Sequence, residues 1–125
     1  MLIEIDYTSD EAIYMQLHDQ IIIAIANNLI RQGESLPSVR SLADSVGINM
    51  HTVNKAYTIL KQEGYIRVDR RRGAVICVDE AKEASLSEIT EDLKVILAKA
   101  SCRGISRQEL QRIIDGIYTE YGGNN

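Results

Sequence analysis

Apolar residues recur at helical spacing in five segments of the chain, and two short apolar segments around a glycine-containing loop are typical of a β-hairpin. The first helix is predicted to begin at Thr8 or Ser9, where Thr8 and Glu11 form a capping box, and to end near Gly33. Its apolar residues lie on more than one side. We therefore expect a second subunit or the C-terminal segment to cover part of this helix.

The middle of the chain has the pattern of a helix-turn-helix. Pro37 favours an extended residue before it, and Ser38 is predicted to cap a short second helix that ends at Gly47. Asn49 is predicted to cap a third helix, which ends near Gly64. In this third helix the inward positions are Val53, Ala56, Tyr57 and Leu60.

A β-hairpin and two further helices are predicted after the third helix. The strands YIRV and AVICV flank DRRRG, which indicates a loop of four or five residues. A polar linker runs from Asp79 to about Ser85, SCRG separates the two tail helices, and GGNN is expected to be a frayed tail. Ser106 and Glu109 form the capping box of the last helix. The apolar faces of the tail helices carry Leu86, Ile89, Leu93, Ile96, Leu97, Leu110, Ile113, Ile114, Ile117 and Tyr118.

This order predicts a mainly α fold with a small β-hairpin. Residues 1–78 are expected to form an N-terminal winged helix-turn-helix, with the turn motif at about 39–58 and the wing at about 65–78. Residues 79–125 are expected to form a linker and a short C-terminal helical hairpin. A chain of 125 residues without Trp or Phe allows one domain, or a small domain with an appendage, and an aliphatic core.

Charge is distributed unevenly along a chain whose net charge is −4. Residues 1–29 contain five acids and no Lys or Arg, residues 30–78 contain eight bases and four acids, and residues 79–125 contain six bases and nine acids. The middle segment is therefore the basic one. A basic patch on an acidic protein can still attract phosphate, because salt limits the reach of each charge to roughly 10 Å. Ordinary solvated surface is the alternative interpretation of this charge.

Several classes of function are not indicated. No apolar run approaches the roughly 18 residues of a membrane span, and the N-terminus lacks the basic start of a signal peptide, so we expect a cytoplasmic protein. Cys77 and Cys102 make no disulfide framework, and His18 and His51 lie in different helices without further metal ligands. No nucleophile–base pattern, P-loop or dinucleotide fingerprint is present. We expect no enzyme activity, no cofactor and no metal.

The polar start of the third helix and the basic hairpin suit DNA. Asn and His side chains can bind base edges, while Lys55 and Thr52 suit phosphates. Three adjacent arginines at an exposed turn repel one another without structural benefit, and a wing on the minor groove or on phosphates would use them. Polar residues on a solvated helix surface are the simpler alternative.

One family matches this arrangement in order and without gaps. The run LPSVRSLADSVGINMHTVNKAYTILKQEGYIRVDRRRGAVI resembles the DNA-binding domain of the GntR family of bacterial transcription regulators. The upstream run YMQLHDQIIIAIANNLIRQGESLPS fits the first helix of that family, so the resemblance covers about residues 1–78. The short helical tail resembles the YtrA-like subgroup. In that subgroup the tail helices serve dimerisation, which implies that the ten apolar tail residues named above form a dimer interface.

The resemblance implies a sequence-specific DNA-binding transcription regulator. It is expected to be a repressor that binds a palindromic operator as a homodimer, with the recognition helix in the major groove and the basic wing on the minor groove or phosphates. It also implies control of a neighbouring operon, often one for an ABC-type transporter. The sequence shows no effector pocket. A small-molecule effector, unidentified, is a possible partner, and if one exists, it is expected to bind between the tail helices and the DNA-binding domain. The alternative function is a winged-helix module whose basic wing docks an acidic protein.

The resemblance also assigns the DNA contacts. Arg40 matches the arginine of the Leu-Pro-Ser motif, which contacts bases and phosphates. Met50 stands where many members carry Arg, and a thioether cannot bind guanine in a bidentate way, so a different base preference is expected. The wing lacks the first glycine of the usual Gly-Arg-Gly, which favours phosphate contacts. The expected DNA-binding residues are Ser38, Arg40, Asn49, Met50, His51, Thr52, Asn54, Lys55, Arg70, Arg71, Arg72 and Gly73.

Overall fold

The computed structural model describes residues 3–122, so the last three residues of the expected frayed tail lie outside the described part. The chain divides into two compact units, Met1–Asp79 and Glu80–Asn125. Within residues 3–122 the predicted mainly α fold with a small antiparallel hairpin is confirmed. The elements are α1 (Ile13–Ala26), α2 (Val39–Val46), α3 (Met50–Gln62), β1 (Ile66–Asp69), β2 (Gly73–Ile76), α4 (Lys82–Cys102) and α5 (Arg107–Glu120).

The core of the first unit lies between α1 and α3, and α2 and the hairpin close it. Leu17 of α1 and the α3 residues Val53 and Leu60 are fully buried, which confirms the inward face predicted for α3. The hydroxyl of Tyr57 donates a hydrogen bond of 2.8 Å to the carbonyl of Pro37. Burial raises the pKa of Tyr57, so this hydroxyl stays a donor. The bond ties the middle of α3 to the start of α2.

Helix α1 is shorter than predicted at both ends. The capping box predicted at Thr8 does not form, because the backbone N–H and the hydroxyl of Thr8 both donate to Asp6 in a local turn. The helix begins only after Ala12, which makes no side-chain cap. At the other end it stops at Ala26 instead of continuing to the predicted glycine, and Asn28 adopts a left-handed φ of 61°.

Two glutamines of α1, one helical turn apart, hold the segment that precedes the helix. The side-chain amide of Gln20 pairs with the backbone N–H and carbonyl of Glu4. The amide of Gln16 pairs in the same way with Asp6, over 2.8 and 2.9 Å. Ile3 packs against the core beside them. The N-terminal segment of the same unit therefore covers part of the broad apolar surface for which a second subunit or the tail was expected.

The hairpin loop is shorter than predicted. Strands β1 and β2 pair antiparallel from Ile66 opposite Ile76 to Asp69 opposite Gly73. This last pair leaves only residues 70–72 in the loop, instead of four or five. Gly73 has a φ of 74°, a left-handed value that a side chain would disfavour, and this bend brings the chain back into β2. The predicted wing is therefore a tight three-residue arginine loop.

The second unit consists of two helices joined by a short turn. Helix α4 begins at Lys82, so the predicted linker is shorter, and it runs to Cys102, which lies in the helix and not in a loop as expected. The hydroxyl of Ser106 accepts a hydrogen bond of 3.1 Å from the backbone N–H of Glu109, which confirms the predicted cap of α5. Among residues 3–122 no helix is long and apolar enough to cross a membrane.

The apolar faces of α4 and α5 remain largely exposed. Ala100 is the one residue of 80–122 that is buried. Leu86 at one end of α4 is 59% exposed, and Leu93 near its centre is 41% exposed. On α5, Ile113 and Ile117 are exposed as well. The two helices therefore do not bury each other's apolar faces within one chain.

His18 links α1 to the end of α3 inside the first unit. Its Nε2 is hydrogen-bonded to the carboxylate of Glu63, which caps α3, and its Nδ1 lies 2.8 Å from the carboxylate of Asp19. Burial lowers the pKa of His18, but the hydrogen bonds and charges of the two carboxylates outweigh it and raise the pKa above its ordinary value. Only the protonated ring can donate to both carboxylates at once.

The stability of the first unit is expected to fall as the pH rises through the raised pKa of His18. Because that pKa is higher in the folded chain, the stabilisation is fully present below about 6.5 and is lost at higher pH. At pH 6, Glu63→Gln should lower the free energy of unfolding by about 1 kcal/mol. This value is modest because the Glu63 side chain is 47% exposed. Thermal unfolding at pH 6 and pH 8.5 measures the difference.

The matched control for this prediction is Glu80→Gln, which neutralises an exposed carboxylate at the start of the second unit. It should leave the pH dependence of unfolding unchanged. If Glu63→Gln and the unmodified chain show the same dependence, His18 does not stabilise the fold through Glu63.

Candidate nucleic-acid interface

The first turn of α3 is exposed, and Asn49 forms its cap as predicted. The side-chain oxygen of Asn49 accepts a hydrogen bond of 2.7 Å from the backbone N–H of His51. The cap uses the acceptor atom of Asn49, so its amide N–H groups remain to donate to a ligand. Met50 and His51 are exposed on the same turn, whereas Thr52 is half-buried.

The next turns of α3 carry further exposed polar side chains. The hydroxyl of Thr58 donates to the carbonyl of Asn54 over 2.8 Å, one helical turn earlier. The ammonium of Lys55 lies 4.0 Å from the centre of the Tyr14 ring, a cation–π contact with α1. Lys55 is thus restrained toward α1, while Asn54 and Thr58 lie on another side of α3.

The start of α2 lies close to the outer side of α3. The hydroxyl oxygen of Ser38 accepts a hydrogen bond of 3.0 Å from the backbone N–H of Ser41, so Ser38 caps α2 as predicted. Its hydroxyl hydrogen is still available to donate. Arg40 follows two residues later and is exposed, and among residues 3–122 its guanidinium has no hydrogen-bond or ion-pair partner.

A groove of about 460 Å³ separates the start of α2, the outer side of α3 and the hairpin. It brings together three of the predicted residues, namely Ser38, Asn54 and Gly73. Arg40 and the first turn of α3 do not line this groove. In the sequence, Arg40 directly follows the lining residue Val39, and the first turn of α3 directly precedes the lining residue Asn54. Exposed polar residues of α3 form one wall of the groove, and residues of the wing form another.

Lys61 and Val68 are among the groove residues that were not predicted as DNA contacts from the sequence. Lys61 lies seven residues after Asn54 and three after Thr58, and this i, i+4, i+7 spacing could have placed it on the same face. Val68 of β1 is 63% exposed although it shares a face with the buried Ile66. Strand alternation alone predicts that Val68 is buried, and only the position of the hairpin leaves it at the groove.

The arginine loop is organised by hydrogen bonds at its base. The side-chain oxygen of Asp69 accepts from the backbone N–H groups of Arg71 and Arg72 over 2.8 and 3.3 Å. These bonds, with the nearby arginine charges, hold the pKa of Asp69 below its usual range, so the carboxylate stays ionised. The guanidinium of Arg72 donates to the carbonyl of Gly33. Arg70 and Arg71 are exposed, and their side chains have no partner within residues 3–122.

No group of three or more His, Cys, Asp or Glu side chains in the described part of the chain is arranged to hold a metal ion. Three helices with an exposed polar start of α3, followed by an antiparallel hairpin with a basic loop, define a winged helix-turn-helix DNA-binding protein. The family model for bacterial regulatory proteins of the gntR family matches residues 13–76, and the chain belongs to the GntR family.

Two relatives and one further solved structure extend this result. The chain is 34% identical to the HTH-type transcriptional repressor YtrA of Bacillus subtilis (strain 168), over 98% of this chain and 96% of that protein. It is 38% identical to the solved YtrA of Sulfolobus acidocaldarius, a GntR-family transcription factor, with a TM-score of 0.58 over 94% and 97% of the two chains. A transcriptional antiterminator from Listeria monocytogenes EGD-e shares the fold, with a TM-score of 0.87, 24% identity and coverage of 97% and 92%.

These comparisons confirm the resemblance to the GntR family and to its YtrA-like subgroup. The family and its members are transcription regulators, which confirms that this chain is a DNA-binding transcription regulator and not an enzyme. The individual DNA contacts and the dimer interface stay predictions at this point.

Proposed function

We propose that the chain is a homodimeric repressor that binds a palindromic operator. The observation that supports this best is the groove between α2, α3 and the hairpin, because it lies between exposed polar residues of α3 and Gly73, the residue that follows the arginine loop. A DNA strand needs such a channel when one helix enters the major groove and the wing reaches the neighbouring backbone. Since DNA is its ligand, we expect the protein to act in the cytoplasm. An unidentified effector remains a prediction from the sequence.

In this proposal the first turns of α3 bind base edges. His51 and Asn54 can donate to and accept from bases, and the thioether of Met50 can contact a thymine methyl group. Asn49 donates through the amide N–H groups that its cap leaves available. The phosphate contacts are proposed for Ser38, Arg40, Thr52, Lys55 and Lys61 and for the backbone at Gly73.

The wing is proposed to contact phosphates or the minor groove through Arg70 and Arg71. Both side chains are exposed at a loop whose backbone is held by Asp69. A guanidinium that is not already paired can form two parallel hydrogen bonds with a phosphate. The short loop has no glycine at its tip, and this favours phosphate contacts over deep insertion into the groove.

The dimer is proposed to form through α4 and α5. In α4 the exposed residues Leu86, Ile89, Leu93 and Ile96 recur at spacings of three and four, which is typical of a helix that packs on a partner helix. The α5 face adds Leu110, Ile113, Ile114, Ile117 and Tyr118. An apolar stripe of this length is unusual on the surface of a monomer. A two-fold axis through this interface would set two α3 helices on half-sites about one DNA turn apart or more.

Replacement of Arg40 tests the proposed DNA contact. Arg40→Ala should lower the affinity for the operator by about 1–3 kcal/mol, because an exposed guanidinium at the start of α2 would be lost from the interface. The operator is the inverted repeat found by footprinting the region upstream of the gene, and fluorescence anisotropy measures the affinity. Arg112→Ala on α5 makes the same charge change outside the DNA-binding unit and should leave the affinity unchanged.

Binding by the unmodified chain should fall steeply as salt is raised, since several phosphates are neutralised. Equal affinity for the operator and a scrambled duplex at every salt concentration would contradict the proposed function. That outcome would favour the alternative, in which the basic wing docks an acidic protein.

A further inference from the structure

We propose that Arg72 positions the wing and does not contact DNA, so that Arg70 and Arg71 form the DNA-contacting pair. This inference rests on the proposed role of the wing in DNA binding. It changes the assignment made from the sequence, where the three arginines of the loop are equivalent.

Arg72 is held at two points, and its neighbours in the loop are not. Its backbone N–H donates to Asp69 at the end of β1, and its guanidinium donates to the carbonyl of Gly33, 39 residues earlier in the chain. Arg71 shares the backbone contact with Asp69, but its guanidinium has no partner within residues 3–122. Arg72 therefore connects the loop to a different segment of the first unit.

The segment that receives Arg72 is itself fixed to β2. The backbone N–H of Gly33 donates to the carbonyl of Ile76 over 2.8 Å. The N–H of Ile76 donates to the carbonyl of Glu34, also over 2.8 Å, and Ser35 forms a bridge with Val75. Residues 33–36 thus run beside β2 as a third, short strand-like segment. The guanidinium of Arg72 spans from the loop to this segment and acts as a strut between them.

The hydrogen bond between Arg72 and Gly33 restricts the movement of the arginine loop. The pairing with residues 33–36 supports β2 from residue 74 to residue 76, but the loop 70–72 lies beyond this pairing and can bend relative to the body of the unit. The bond between Arg72 and Gly33 limits that bending, because both of its ends are tied to β2. A wing that is already oriented loses less conformational entropy when it binds, so the affinity for DNA is higher. Arg72 would therefore raise the affinity for DNA by keeping the wing oriented, and not by contacting a phosphate.

The salt dependence of operator binding separates the two roles. Each phosphate contact contributes about 0.9 to the slope of log K against log salt. Arg71→Met should therefore reduce the slope by about 1 unit. Arg72→Met should leave the slope unchanged. It should lower the affinity about tenfold at every salt concentration, because this matches the entropy cost of ordering about one further residue when DNA binds.

Amide hydrogen exchange in the DNA-free full chain gives an independent measurement. Arg72→Met should accelerate exchange of the wing amides at residues 71 and 72, while α1 serves as an internal reference for global stability. Arg71→Met is the matched control, and it should leave this exchange unchanged because it removes a side chain without a partner.

The inference is overturned if Arg72→Met lowers the salt slope by about 1 unit and leaves wing exchange unchanged, since Arg72 would then be a phosphate contact. It is also overturned if Arg72→Met changes neither affinity nor exchange. If the unmodified chain does not bind the operator in a salt-dependent way, the proposed function fails, but the exchange experiment still tests whether Arg72 orders the wing.

Discussion

Leu93→Glu is expected to convert the dimer into a monomer and to abolish operator binding at concentrations that saturate the unmodified chain. Leu93 lies at the centre of the α4 stripe, with Ile89 and Ile96 one turn away on either side. A carboxylate at this position would have to lose its hydration in the interface without a partner charge. A monomer contacts one half-site, so the affinity should fall by about 10²–10⁴. Analytical ultracentrifugation and fluorescence anisotropy measure the two effects.

Val95→Glu is the matched control on the same helix. Val95 is exposed and lies two residues beyond Leu93, which puts it on the opposite side of α4. The control should stay dimeric and bind the operator as before. If Leu93→Glu remains a dimer, or if Val95→Glu dissociates equally, the dimer does not use the proposed α4 stripe.

Features of the fold that depend on neighbouring residues were predictable from the sequence. The caps at Ser38, Asn49 and Ser106 each need one side-chain oxygen and an N–H two or three residues later, so local sequence specifies them. The buried face of α3 was predictable for the same reason, because helical spacing places Val53 and Leu60 on one side.

Features that depend on distant contacts were not predictable. The predicted start of α1 was wrong because Gln16, ten residues away, holds the backbone of Asp6, whose side chain accepts a hydrogen bond from the hydroxyl of Thr8. In the candidate site, the strut from Arg72 to Gly33 joins residues 39 positions apart, and no spacing rule indicates it. Charge pattern therefore identified the basic loop, but it could not distinguish one arginine of that loop from another.

Leu60→Ala is expected to destabilise the first unit by about 3 kcal/mol, within the range of 2–5 kcal/mol for a buried leucine. Leu60 is fully buried in the core that α3 shares with α1, so the change leaves a cavity that the packed neighbours cannot fill. A domain of this size has a stability of about 5–15 kcal/mol, so the loss is a large fraction of the total. The midpoint of thermal unfolding should fall by at least about 12 °C.

Leu29→Ala makes the same chemical change where the side chain is 64% exposed, and it should alter the unfolding midpoint little. At a low temperature, where Leu60→Ala is still folded, operator affinity should be close to that of the unmodified chain, because Asn54, Thr58 and Lys61 lie on the other side of α3. A stability loss for Leu60→Ala as small as that expected for Leu29→Ala would mean that α3 buries a different face. The groove residues would then not be the outer face of α3, and the proposed DNA contacts would have to be reassigned.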